Sequence, residues 1–240
     1  RLSNINKVLK PWPRRLFLKK ISWLIIIITS VLSLTVIGLS VYGTNIGNFV
    51  VNVEEGTQTA LTLSETGVFE KDSSAVLYAK GLGEFRDTTF GTLPTDLSLH
   101  SGGSHNSKDN TYIAYTFYLK NTARYAEAYS MKVNIKQDYL GVSYACRFMI
   151  FTNGERTIYA HRDASGNIID YTNDDRLDVK YTTEPFVSDV LICNVKNPSI
   201  EPNQIVKYTF VFWLEGWDED CTDDIKGGAM QLDMNFEVIK

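Results

Sequence analysis

Residues 21–42, ISWLIIIITSVLSLTVIGLSVY, contain no charged side chain. At about 1.5 Å of rise per residue, about 20 apolar residues in a helix span a hydrocarbon core of about 30 Å. The run meets that length. Its polar members are Ser22, Thr29, Ser30, Ser33, Thr35 and Ser40, whose hydroxyls can bond back to a carbonyl one turn earlier. Residues 25–28 are four isoleucines, which favour a strand in water. In lipid a lone strand leaves its backbone unpaired, so a helix is expected. The reading is a transmembrane helix over residues 21–43, holding Ile21, Trp23, Leu24, Ile28, Leu32, Ile37 and Tyr42 in the membrane. Trp23 and Tyr42 fall where interfacial aromatic belts lie.

The flanks orient this segment. Residues 1–20 carry Arg1, Lys7, Lys10, Arg14, Arg15, Lys19 and Lys20 and no acidic residue. Such a basic stub stays cytoplasmic, which places residues 44–240 outside the plasma membrane. Pro11 and Pro13 around Trp12 prevent a continuous helix in the stub. Its expected work is topology control and head-group contact, with a docking peptide as the other reading. A cleaved signal peptide is the rival to a retained anchor. Its apolar core would run to about 7–15 residues before an Ala-x-Ala-like site, and Val41-x-Gly43 is a poor match. A buried core helix is disfavoured by the length and the basic flank together.

Charge limits the partners of the outer part. The chain has 24 Lys and Arg against 28 Asp and Glu, and seven of the cations precede residue 21. The remainder therefore carries 17 basic against 28 acidic residues, a net charge of −11. An acidic domain of this kind speaks against nucleic acid or anionic lipid as a partner. Its length is enough to bury a substantial core.

The outer part reads as strands. Residues 49–53, 59–64 and 75–79 are the first three. Residues 82–109, rich in Gly, Ser, Thr and Asp, are expected to be a long loop or insertion. From Thr111 the period is two. Ile113, Tyr115, Phe117 and Leu119 share one face, and the opposite face is also mostly apolar, as in a strand covered on both sides. Met131, Val133 and Ile135 alternate with polar residues. Residues 144–151 pair with 156–160 across Asn153-Gly154, a hairpin signal. Residues 163–175 form a polar loop, and residues 190–195 a short strand before turns marked by Pro198 and Pro202. Val206, Tyr208, Phe210, Phe212 and Leu214 face one way. Met230, Leu232, Met234, Phe236 and Val238 do the same in the last strand. No helical period appears after residue 43. About eight to eleven short strands predict an all-β fold, a jelly-roll-like two-sheet sandwich. The first or last strand is expected to lie at a sheet edge.

Few residues carry chemistry. His100, His105 and His161 are the three histidines. His100 and His105 flank SGGS, which is no helical zinc spacing, so a solvated loop is the default there. A Ser–His–Asp triad is assembled in space and stays open, although no G-x-S-x-G stands in the chain. Asp218, Glu219, Asp220, Asp223 and Asp224 place five carboxylates in one short stretch. They could cage calcium, which takes six to eight oxygens, though not at EF-hand spacing. A solvated acidic turn is the alternative. Asp163, Asp170, Asp174 and Asp175 form a weaker second group. Cys146 and Cys193 sit on apolar strands, either as buried thiols or as an inter-sheet disulfide. The third cysteine, Cys221, makes the number odd. No other cofactor is implied.

Three stretches carry a resemblance: residues 42–51, YGTNIGNFVV; residues 112–121, YIAYTFYLKN; and residues 212–238, FWLEGWDEDCTDDIKGGAMQLDMNFEV. The last contains a W-x-E-G-x-D-x-D-C pattern ahead of the final strand. It resembles a set of uncharacterised membrane-anchored Firmicute surface proteins. At a distance it is similar to the camelysin and TasA-type exported β-sandwich proteins, which a dedicated signal peptidase handles. The resemblance implies a jelly roll and names no reaction; some members are labelled peptidases, for which no zinc or nucleophile motif appears here. The long apolar segment departs from the fibre-forming members.

Together these features predict a single-pass surface protein. Its partners are the lipid bilayer and other surface proteins or copies of itself, and its sandwich acts by binding or assembly, not catalysis. A secreted biofilm or matrix fibre subunit released by cleavage is the second reading. A surface hydrolase that could use calcium at the acidic stretch is the third.

Overall fold

A computed structural model describes residues 49–79, 85–172 and 180–239, together with Trp23, residues 26–30 and Ser33. Its contacts divide the chain into two units, Arg1–Asn45 and Ile46–Lys240. In the first unit the described residues are helical and exposed. Thr29 Oγ1 donates to the Ile26 carbonyl at 3.0 Å, and Ser33 Oγ to the Thr29 carbonyl at 2.8 Å. The hydroxyls thus bond back along the helix, as their placement in an apolar run requires. Among the described residues no helix is long and apolar enough to cross a membrane. Ile21, Leu24, Leu32, Ile37 and Tyr42 of the expected span lie outside the described residues.

The second unit is all-β, with twelve strands among the described residues. They are β1 Phe49–Val53, β2 Leu61–Ser64, β3 Val76–Ala79, β4 Gly103–Ser104, β5 Tyr112–Asn121 and β6 Glu127–Tyr139, then β7 Cys146–Thr152, β8 Glu155–Ala160, β9 Glu184–Pro185, β10 Leu191–Ile200, β11 Ile205–Leu214 and β12 Ala229–Val238. One sheet has the order β10-β6-β12-β1-β3. The other has β2-β5-β11-β7-β8-β9, with β4 also on β5. From β5 onward five of the seven connections cross between sheets, the exceptions being β7–β8 and β8–β9, so most neighbours in space are not neighbours in sequence.

The two inner faces close on one core. Phe49 of β1 stacks on Phe210 of β11 with ring centroids 4.2 Å apart. Phe117, Tyr208 and Phe236 pack across the gap. Tyr129 and Tyr208 bury their hydroxyls against each other at 2.8 Å, which satisfies two polar groups that burial would otherwise penalise. β11 and β12 run over the residues their alternation predicts, and Met230, Leu232, Met234 and Phe236 all face the core. The β7–β8 turn has Asn153 at φ 50° and Gly154 at φ 95°, the left-handed pair a two-residue hairpin needs.

Four expectations are corrected. The first and last strands are not edges: β1 lies between β12 and β3, and β12 between β6 and β1. β7 begins at Cys146, because Val142–Ala145 closes a single helical turn. β10 continues past residue 195 to Ile200, with a register shift between Asn197 and Ile200. Residues 85–109 are a packed layer with 3₁₀ turns at Phe90–Thr92 and Leu97–Leu99. Phe90, Leu93 and Leu97 are buried against Ala114, Met149, Val211 and Trp213 on the outer face of the larger sheet. A second core under that segment explains why β5 and β11 are apolar on both faces.

Candidate functional site

The W-x-E-G-x-D-x-D-C pattern, Trp213 to Cys221, closes one end of the sandwich. As β11 ends, the Glu215 amide bonds the Ala145 carbonyl at 2.9 Å and the Gly216 amide bonds the Thr88 carbonyl at 2.7 Å. A Cβ at Gly216 would meet the exposed end of the Asp87 side chain, with Oδ2 at 2.9 Å, a contact that Asp87 relieves by turning aside. Glu215 is fully buried. Its Oε2 accepts from Tyr181 Oη at 2.7 Å, Trp213 Nε1 at 3.1 Å and the Phe90 amide at 3.2 Å. A carboxylate removed from water requires such donors. Burial pushes the Tyr181 phenol well up, and neighbouring Glu215 adds to the shift.

Beside it lies a buried ion pair. Arg147 is on β7, with no solvent exposure. Its Nη2 donates to Asp218 Oδ2 at 2.5 Å and to Tyr171 Oη at 3.2 Å, and its Nη1 donates to the Cys146 carbonyl at 3.0 Å. Burial works against the guanidinium charge, but Tyr181, Asp218 and Tyr171 outweigh it, so the group is held more firmly protonated than usual. Among the described residues, Arg147 Nε finds no partner. Asp218 also organises its own loop, its Oδ1 accepting from the Asp220 amide at 2.9 Å.

The five acidic residues of the stretch are therefore not equivalent. Asp218 turns inward to Arg147, while Glu219, Asp220, Asp223 and Asp224 are exposed. Asp223 pairs with Lys226 at 2.8 Å on the surface. Among the described residues no three His, Cys, Asp or Glu side chains converge as a metal would require. Asp163 binds the amides of Ser165 and Asn167 in its own turn, Asp170 caps Thr172, and Asp174 and Asp175 lie outside the described residues. His100 and His105 stack at 4.4 Å, and His105 Nε2 lies 2.5 Å from the Ser101 carbonyl.

A serine, a histidine and an aspartate do meet, in an order unlike a triad. Ser143 Oγ donates to Asp138 Oδ2 at 2.6 Å and lies 3.1 Å from His161 Nε2. In a triad the histidine accepts the serine proton and the carboxylate holds the far imidazole nitrogen. Here the carboxylate takes the serine proton directly, so Nε2 is the donor to Oγ. Ser143 is 1% exposed, out of reach of a substrate. The His161 ring lies between Tyr144 at 4.2 Å and Phe186 at 4.3 Å. Burial lowers its pKa, against the pull of Asp189, Asp138 and Asp220.

Cys146, Cys193 and Cys221 are free thiols, the first two buried. Cys146 Sγ donates to the Val142 carbonyl at 3.0 Å. A cavity of about 470 Å³ opens on the other sheet, lined by Ser130, Lys132, Asn194, Lys196 and Glu237. Lys132 is bonded to Glu237 there at 2.7 Å, and the cavity touches neither polar cluster.

Glu215 and Asp218 stand in the W-x-E-G-x-D-x-D-C pattern, but nothing in its spacing points to their partners Tyr181 and Arg147, or to Tyr171, which Arg147 also binds. One local signal marks Arg147: it is the lone charge in the apolar run Ala145 to Phe151.

No family model matches the chain, and no curated protein matches it in sequence. Among solved structures, the chain has 11% identity and a TM-score of 0.22 to a β-glucosidase from Kluyveromyces marxianus, over 72% of this chain and 16% of that one. It has 7% identity and a TM-score of 0.24 to the adhesin domain of Epf from Streptococcus pyogenes, over 75% of this chain and 58% of that one. The chain thus spans less than two thirds of either protein, and likenesses at this level carry no argument.

Proposed function

We propose that this chain is a single-pass membrane-anchored surface protein whose jelly-roll-like ectodomain works by binding or assembly with other surface proteins. The observation that carries this reading is the uncharged run of residues 21–42 beside seven cations and no acid. Such a segment is costly in water and stable across lipid, with its basic end inside. The strand order supports the jelly-roll part: β10-β6-β12-β1 faces β5-β11-β7-β8, the two four-stranded halves of that architecture. β1 departs from it by running parallel to β12.

The polar groups favour a binding scaffold over a reaction centre. Glu215, Asp218, Arg147 and Ser143 all spend their hydrogen bonds within the fold. They stiffen the loops at one end, which lowers the entropy those loops lose on meeting a partner.

Protease added to intact cells tests the placement, combined with cell-surface crosslinking. The ectodomain should be digested while an N-terminal fragment survives, and a crosslinked species should appear. Digestion of the amino end alone would overturn the topology. A monomer without crosslinks would overturn assembly, and a mature chain starting after residue 43 would favour the released-subunit reading instead.

A further inference from the structure

We propose that one end of the sandwich rests on the bilayer, with Tyr139, Leu140, Tyr144, Val187, Val190 and Trp217 as its interfacial contacts. This deepens the anchored reading and rests on it. The six residues come from three connections, β6–β7, β9–β10 and β11–β12. Those connections share one end, because Tyr139 pairs with Ala229, Leu214 with Cys146, and the Ile135 amide bonds the Val190 carbonyl.

Each of these side chains faces solvent. Exposure is 62% at Tyr139, 45% at Leu140, 42% at Tyr144, 61% at Val187, 63% at Val190 and 42% at Trp217. One such side chain is ordinary on a soluble surface, and it is the gathering of six at one end that is unusual. Leu140 is the sharpest case, because it is held at φ 65°. Left-handed backbone is unfavourable for a residue with a Cβ, and this one points an apolar chain at water. Amphipathic Tyr and Trp are the residues that favour the head-group region. The far end of the sandwich exposes Tyr125, Ile205 and Ile239, but β1 does not open toward it.

The path of the chain selects the occupant. β1 opens at Phe49, level with Leu232 and Ala79, and so toward the end that carries the six side chains. Only residues 43–48 separate it from Tyr42. At no more than about 3.6 Å each, those six residues reach roughly 20 Å. An anchored sandwich is thereby tethered by the end with the apolar rim.

Charge sets the lipid. Glu219, Asp220, Asp224 and Asp189 stand at the same end, while Asp218 is neutralised by Arg147 and Asp223 is paired with Lys226. Zwitterionic head groups therefore suit this rim, and anionic lipid should weaken the contact at low salt.

The test uses the full chain, with Cys221→Ser to remove the half-exposed thiol, reconstituted in phosphatidylcholine vesicles. A polarity-sensitive fluorophore is placed in turn at Leu140→Cys, Val187→Cys and Tyr125→Cys. Labels at 140 and 187 should shift to the blue and lose emission to a nitroxide on the lipid head group, while the label at 125 stays unchanged. Solvent-like emission at all three positions, in chains that float with the vesicles, would overturn this inference and leave the anchor standing. Chains that do not float with the vesicles would overturn both.

Discussion

Arg147 and Asp218 stand 71 positions apart in the chain and meet through a 2.5 Å charge-assisted hydrogen bond, with both side chains almost wholly out of solvent. Removing one partner leaves an uncompensated buried charge, which costs about 3–5 kcal/mol. Asp218→Leu and Arg147→Met are each expected to lose stability on that scale in urea denaturation. The double variant Arg147→Met with Asp218→Leu should recover part of the loss, since an apolar pair of similar volume carries no desolvation penalty. Additive losses in the double variant would contradict this account.

Glu215 holds Tyr181, Trp213 and Phe90 on one carboxylate oxygen. Glu215→Ala strands several buried donors, each costing about 1–3 kcal/mol. The 85–109 layer should then loosen from the larger sheet. The reporter is hydrogen exchange at the amides of Phe90 and Gly216, which should accelerate more than those of β12. Uniform acceleration over all strands would point to global destabilisation instead.

His161 makes stability depend on pH in a defined window. Its folded pKa is lowered from 6.5, chiefly by burial. The unfolded chain therefore takes up this proton first as the pH falls. Its contribution is complete above pH 6.5 and is lost as the pH drops through the folded value. Asp72, Asp163 and Asp170 are lowered from 3.8, so their stabilisation is lost in a separate, more acidic window. The urea midpoint should fall between about pH 7.5 and about pH 5.5, and His161→Phe should flatten that slope. An unchanged slope in the variant would assign the dependence to other groups.

Gly102 has no room for a side chain: a Cβ there would lie 1.4 Å from the Glu65 carbonyl oxygen. Gly102→Ala must displace backbone, and overpacking of this kind costs about 1–3 kcal/mol. A melting temperature equal to that of the parent chain would mean the two segments are farther apart than described.

The thiols offer a direct count. Burial pushes Cys193 up to about 12 and Cys221 up to about 11, so few thiolates form near neutral pH. A thiol reagent should react slowly with the native chain and find all three thiols in denaturant. One thiol in denaturant would mean that Cys146 and Cys193 had joined.

Much of the fold was legible because its causes are local. β11 and β12 are readable from alternation alone, since each side chain's face depends on its neighbours two residues away. The Asn153-Gly154 turn is readable for the same reason. Residues 85–109 were not, because their polar composition hides Phe90, Leu93 and Leu97, whose partners Val211 and Trp213 lie on a distant strand. A wholly apolar β11 had already implied a cover on its outer face, without saying which segment supplied it.

By itself the sequence determined the all-β body, the limits of β1 and β11 and the acidic character of the residues after 43, because periodicity and charge are properties of the chain. Tertiary structure alone decided what the polar residues do. It turned Asp218 inward and left its four acidic neighbours in water, and it aimed the Ser143 hydroxyl's hydrogen bond at Asp138 instead of His161. It also gathered exposed apolar tips from three separate connections at the end toward which β1 opens. The reason is physical: burial and hydrogen bonding depend on which distant strands come side by side, and that order follows from the packing of two sheets.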